Sequence, residues 1–118
     1  MLTREQILEC SDIPTEIVQV PEWGGEVLVK GLTGSQRDWL EMSIFAEKKG
    51  NSSNANMRNF RAKLASLTVC DESGERLFTE KDIEALSAKS AVALQKVFNV
   101  AQRLSGLTAE DAEQLTKN

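Results

Sequence analysis

A chain of 118 residues with 41% hydrophobic and 27% charged side chains has the composition of one ordinary globular domain, 1–118, and leaves no length for separate catalytic and binding domains. It contains no His and no Tyr, which removes Ser-His and Cys-His nucleophile pairs and His-ligated metals together. The net charge of -4 argues against general affinity for nucleic acid, and no apolar run approaches the roughly 18 residues that span a bilayer.

The first residues, Met1-Leu2-Thr3-Arg4-Glu5-Gln6, set Thr3 and Gln6 at capping-box spacing ahead of Ile7 and Leu8, which predicts a short helix over 3–10. They do not have the layout of an export signal, and Cys10 and Cys70 lack CxxC spacing, so both are expected as free thiols in a cytoplasmic protein. Beyond Pro14, the β-branched runs Thr15–Val20 and Glu26–Lys30 flank Pro21-Glu22-Trp23-Gly24-Gly25, a hairpin signal over about 15–31. Val18 and Val20 share one face of the first strand, and Val27 and Val29 one face of the second. Two strands alone are marginal in water, so the hairpin must lie on helices or pair with another chain through its edges. Gly24-Gly25 fits a tight turn, with no phosphate-loop spacing after it.

Thr33 with Gln36 opens a second helix over about 34–49, stopped by Gly50. At about 100° per residue, Trp39, Leu40, Met42, Ile44, Phe45 and Ala46 occupy nearly its whole circumference, wider than the one stripe a surface helix needs. Trp39, Met42 and Phe45 are therefore the candidates for contact with a partner, and Trp23, at a hairpin tip, is a candidate anchor. Gly50–Asn56 is polar, without an apolar anchor, and reads as a mobile loop.

Met57, Phe60, Leu64 and Leu67 recur at helical spacing and predict a helix over about 55–70 with one apolar face, leaving Arg58 and Arg61 elsewhere on its surface. Cys70 at its end is expected as a small buried core residue, since no His stands ready to activate it. Asp71-Glu72-Ser73-Gly74-Glu75 reads as an exposed turn without the alternating ligands of a calcium loop. Thr79 with Asp82 starts a helix over 80–86. Ser87 is placed to cap the next, over 88–104, whose stripe is Leu94, Val97, Phe98, Ala101 and Leu104 and whose stop is Ser105-Gly106. A last helix is expected over 109–116. The expected fold is mainly α, in the α+β class: about five helices with one N-terminal β-hairpin.

Charge is segregated along the chain. Residues 1–47 carry nine acids and three bases, residues 48–70 five bases and no acid, and residues 71–118 nine acids and six bases. Arg58, Arg61 and Lys63 of the basic stretch are candidate electrostatic contacts, for an acidic segment of a second copy or of another protein.

Several phrases, taken in order, resemble a known family. They are Ile13-Pro14-Thr15, Val20-Pro21-Glu22-Trp23-Gly24-Gly25, Val29-Lys30-Gly31-Leu32-Thr33-Gly34, Asp71-Glu72-Ser73-Gly74-Glu75-Arg76-Leu77-Phe78-Thr79 and Ala101-Gln102-Arg103-Leu104-Ser105-Gly106-Leu107-Thr108. Together they are similar to the tail assembly chaperones of long-tailed siphophages. The resemblance implies a non-enzymatic morphogenesis factor of the host cytoplasm, without cofactor or metal, that binds the tape measure protein, recruits tail tube subunits around it and is absent from the virion. It also implies a longer form of the chain made by a −1 ribosomal slip, for which Thr116-Lys117-Asn118 permits the codons ACA AAA AAC. Self-association through a hairpin edge or the wide helix is the linked expectation, with neither nucleic acid nor membrane as partner. The competing readings are a small DNA-linked regulator using the basic segment 48–63 and a structural head-to-tail joining protein.

Overall fold

A computed structural model describes the backbone of residues 1–50 and 54–108, and the side chains of these residues apart from 45–50 and 54–58. The described elements are helix α1 (Arg4–Glu9), strands β1 (Thr15–Val20) and β2 (Gly25–Lys30), helices α2 (Gly34–Gly50) and α3 (Asn54–Thr68), strand β3 (Val69–Cys70) and helices α4 (Ile83–Ser87) and α5 (Ala91–Leu104). This is the mainly helical α+β architecture that the sequence predicts. The helix expected over 109–116 lies outside the described residues, as do 51–53 of the expected loop, while Asn54–Asn56 form the first turn of α3.

The capping signals act as the sequence implies. Thr3 and Gln6 exchange side-chain and backbone hydrogen bonds at the start of α1, and Thr33 and Gln36 do the same before α2, at 2.9 and 3.1 Å. Thr79 and Asp82 form a third such box, ahead of a single 3-10 turn at Glu80–Asp82 that runs into α4. The cap of α5 differs from expectation. Ser90, not Ser87, accepts from the Ala93 backbone N–H, and Ser87 donates to the Glu84 carbonyl at the end of α4. Ser105 and Gly106 end α5 as predicted, with Gly106 at φ +71°.

The hairpin pairs Thr15 with Lys30 through Val20 with Gly25, closed by a 3-10 turn at Pro21–Trp23 and by Gly24 at φ +80°. A third antiparallel strand changes the edge accounting. Residues 69–70 leave the helical path of α3 and pair with β2, Val69 opposite Val29 and Cys70 opposite Leu28. The chain then returns alongside, with Leu77 N–H donating to the Val69 carbonyl at 3.1 Å. Of the two hairpin edges expected to be free, that of β2 is paired at Leu28 and Val29, while among the described residues no strand pairs with the outer edge of β1. Gly31 N–H donates to the Pro14 carbonyl at 2.9 Å, and this phase turns the main-chain groups of Thr15, Ile17 and Gln19 toward that open edge.

One core joins sheet and helices. Val18, Val20 and Val29 on the inner sheet face meet Leu40 and Ile44 of α2, Phe60, Leu64 and Leu67 of α3, and Leu94, Val97, Phe98 and Ala101 of α5. Phe60 and Phe98 meet edge to face, with centroids 5.5 Å apart. The single apolar stripe expected on α3 is too modest a description: every residue from Ala62 to Cys70 is buried, making this the central helix. Its polar members bond within the helix, Ser66 Oγ to the Lys63 carbonyl at 2.8 Å and Thr68 Oγ1 to the Leu64 carbonyl at 2.7 Å, which lets hydroxyls enter the interior.

Candidate partner-binding surface

The hairpin is clamped along α5 by two ion pairs. Lys96 Nζ holds both Glu22 oxygens at 3.0 and 3.1 Å, and Arg103 Nη2 donates to Glu16 Oε1 at 2.6 Å. The two cations stand seven residues apart, two turns along one helix face, so they fix the hairpin tip and its first strand together. This clamp positions Trp23. The ring is half-buried and packs against the core, while its Nε1–H is buried with no acceptor among the described residues.

On α2, Leu40 and Ile44 point into the core, and Trp39 is half-buried against it beside Leu67, Arg76 and Glu80. Met42 is 68% exposed. Phe45 follows one turn later on the same helix, and its side chain lies outside the described residues, as does that of Arg58. The described part of α2 thus presents one clearly surplus apolar side chain, Met42, next to a tryptophan that is covered on one side only. In the basic segment, Arg61 is exposed, donates to Gln95 Oε1 at 2.6 Å and lies over the Phe98 ring at 5.7 Å from its centre. Lys63 is buried, at 4% exposure.

Other apolar groups that sequence reading did not single out are also open to water. Leu2, Ile7 and Leu8 are exposed, and no residue of α1 is buried. Ile17 and Leu77 flank a surface groove of about 820 Å³ on the outer face of the sheet. Ile17 was detectable in principle, because it stands out of phase with Val18 and Val20 in a strand that the sequence already assigns. Cys70 lies at that groove as a buried thiol, pushed above its ordinary pKa by burial, as its sequence context suggests.

Two carboxylates are held below the usual range. Glu22 is lowered first by a hydrogen bond from its own backbone and then by Lys96; Asp71 is lowered first by Ser73 Oγ and then by the Glu75 N–H, which its Oδ1 accepts at 2.7 and 3.1 Å. Because each value is depressed on folding, the stability it contributes is present at neutral pH and is lost as pH falls below about 4, through the lowered values. A Glu22→Gln, Asp71→Asn variant is accordingly expected to lose less stability than the parent between neutral pH and about pH 3 in urea titrations. An unchanged pH slope would remove both groups from the acid response.

Among the described residues, no helix is long and apolar enough to cross a membrane. A search of curated proteins returned no match. A solved structure, the bacteriophage HK97 tail assembly chaperone, superposes with a TM-score of 0.61 at 16% identity, over 85% of this chain and 94% of that one, which establishes a shared fold. The sequence itself matches the model of a family described as phage tail assembly chaperone over residues 5–117. The chain therefore belongs to the phage tail assembly chaperone family and is a non-enzymatic assembly helper.

Proposed function

We propose that this chain binds the tape measure protein in the host cytoplasm, helps gather tail tube subunits around it, and leaves before the virion is complete. The contact runs along α2 through Trp39, Met42 and Phe45, with Trp23 as an anchor at the hairpin tip. The observation that carries the reading is the exposure of Met42 beside a half-covered Trp39, in a chain of this family. An apolar strip suits a helical partner met at repeated sites, since it is satisfied by any segment of matching amphipathicity and releases without breaking buried ion pairs. Arg58 and Arg61 belong to the same proposal as electrostatic contacts, Arg61 being exposed among the described side chains; Lys63, expected from sequence to join them, is buried at 4% exposure and out of a partner's reach. Copies associate through the open edge of β1, and the longer slip product shares the same body.

Capture by immobilised tape measure fragments tests this reading. Replacing both Met42 and Phe45 by Ser is expected to weaken capture by about 10- to 100-fold, the loss of two desolvated apolar anchors, with helicity unchanged by circular dichroism. If the double variant unfolds, those side chains belong to the core and the site is wrong. If the parent chain captures no tape fragment, the partner is wrong.

A further inference from the structure

The sheet has a second face that the core does not use. Strand register sets Ile17 opposite Leu28 and Leu28 opposite Cys70 there, while α5 and the other core helices cover the inner face through Val18, Val20 and Val29. Ile17 and Leu77 are 59% and 51% exposed on either side of the groove, Leu28 is half-buried between them, and Cys70 is buried beneath. Among the described residues, the charged side chains that line it are acidic: Glu26, Asp71 and Glu72. Lys30, the base at the end of this face, donates to the Gly74 carbonyl at 3.2 Å, in the turn that follows β3, so one base stands against these three acids. Asp71 is held below the usual carboxylate range by the hydrogen bonds of its own turn, first from Ser73 and then from Glu75.

We propose that this outer sheet face is a second interaction surface, separate from α2, that takes an amphipathic helical segment of a partner protein whose apolar stripe is flanked by Lys or Arg. The apolar floor supplies burial for two or three side chains spaced one helical turn apart, and the carboxylate rim selects a basic flank. The same rim disfavours the other occupants. Nucleic acid and anionic lipid would meet like charge. The exposed apolar helix of a second copy, α1, carries Glu5 and Glu9 against the single base Arg4 and would bring further acid to an acidic rim. The proposal does not depend on the role of α2.

The probe is a fluorescein-labelled 20-residue peptide of Leu and Lys patterned as an amphipathic helix, with a Leu/Glu peptide of the same pattern and a Lys/Ser peptide without the stripe as controls. Anisotropy with the full chain is expected to show the Leu/Lys peptide binding at least about tenfold more tightly than either control. Leu77→Ser with Glu72→Lys, both at exposed positions, should weaken it by about tenfold or more, while Val92→Ala, at an exposed position of α5 outside the groove lining, leaves it within about twofold. Amide shifts in the unaltered chain give an independent location, and they must concentrate at 17, 26–28 and 70–77. Equal binding of the peptides, unchanged binding by the double variant, or shifts confined to α2 or α5 would overturn the proposal. So would a change in the sedimentation of the chain alone on altering Leu77 and Glu72, which would make a second copy the occupant.

Discussion

Replacing Leu64 by alanine is expected to cost about 3 kcal/mol of stability and to lower the melting temperature by roughly 10 °C. Leu64 is fully buried in α3, the helix that packs against α2, α4 and α5 at once, so no single neighbour can move in to fill the space. The loss combines the transfer free energy of the deleted carbons with the cavity they leave, and rigid surroundings make the second part large. Against a total stability on the order of 10 kcal/mol, that is a substantial fraction. Val92→Ala is the control: Val92 stands exposed in the first turn of α5 and its truncation should move stability by no more than about 0.5 kcal/mol. Equilibrium urea unfolding of the three proteins checks both values, and a Leu64→Ala cost below about 1 kcal/mol would mean that α3 is not the centre of the core.

That central role was only half legible in the sequence. Phe60, Leu64 and Leu67 announce one apolar face, but Lys63, Ser66 and Thr68 look like a solvated one, and only the folded chain shows them buried. Short hydroxyl side chains can satisfy themselves on carbonyls three and four residues back, so polarity alone does not mark an exposed helix face. Strand β3 was hidden for a related reason. Two residues carry no periodicity, and Val69-Cys70 continues an apolar helical run; what converts it to a strand is the free edge of β2, a partner about forty residues away in sequence. By contrast, the capping boxes at Thr3, Thr33 and Thr79 depend on contacts three residues apart, and these were readable directly.

The candidate surface follows the same division. An over-wide distribution of apolar residues on α2 can be counted from sequence, yet which of them the core claims depends on where α3 and the sheet lie. Leu40 and Ile44 go inward, Trp39 goes halfway and Met42 remains outside. Single-sequence patterning supplies the surplus and tertiary packing decides its members. The outer sheet groove shows the limit most clearly. Its lining comes from the two strands of the hairpin, from β3 and from the turn that follows, so no window of the sequence contains it.

Gly31→Ala is expected to cost about 1 to 3 kcal/mol, although it adds only one methyl group at the end of a strand. A Cβ at this position would lie 2.6 Å from the Leu104 carbonyl oxygen and 3.2 Å from its carbon. Backbone stands in the way, not the movable tip of a side chain. Just beyond Gly31, Leu32 N–H donates to Ser105 Oγ at 3.0 Å, and Gly31 N–H itself reaches the Pro14 carbonyl at 2.9 Å, so the exit from β2 is tied to both the C-terminus of α5 and the entrance of β1. Making room for the methyl requires the hairpin to lift from α5, which strains those hydrogen bonds and the Arg103–Glu16 pair on the same side. Gly34→Ala separates this mechanism from a general cost of losing glycine. A Cβ there meets nothing within 4 Å at the first residue of α2, so the change should be neutral or slightly stabilising. Paired urea unfolding of the two variants decides the matter: equal effects would place the sensitivity in backbone conformation, and a loss confined to Gly31 would place it in the close approach of the hairpin to α5.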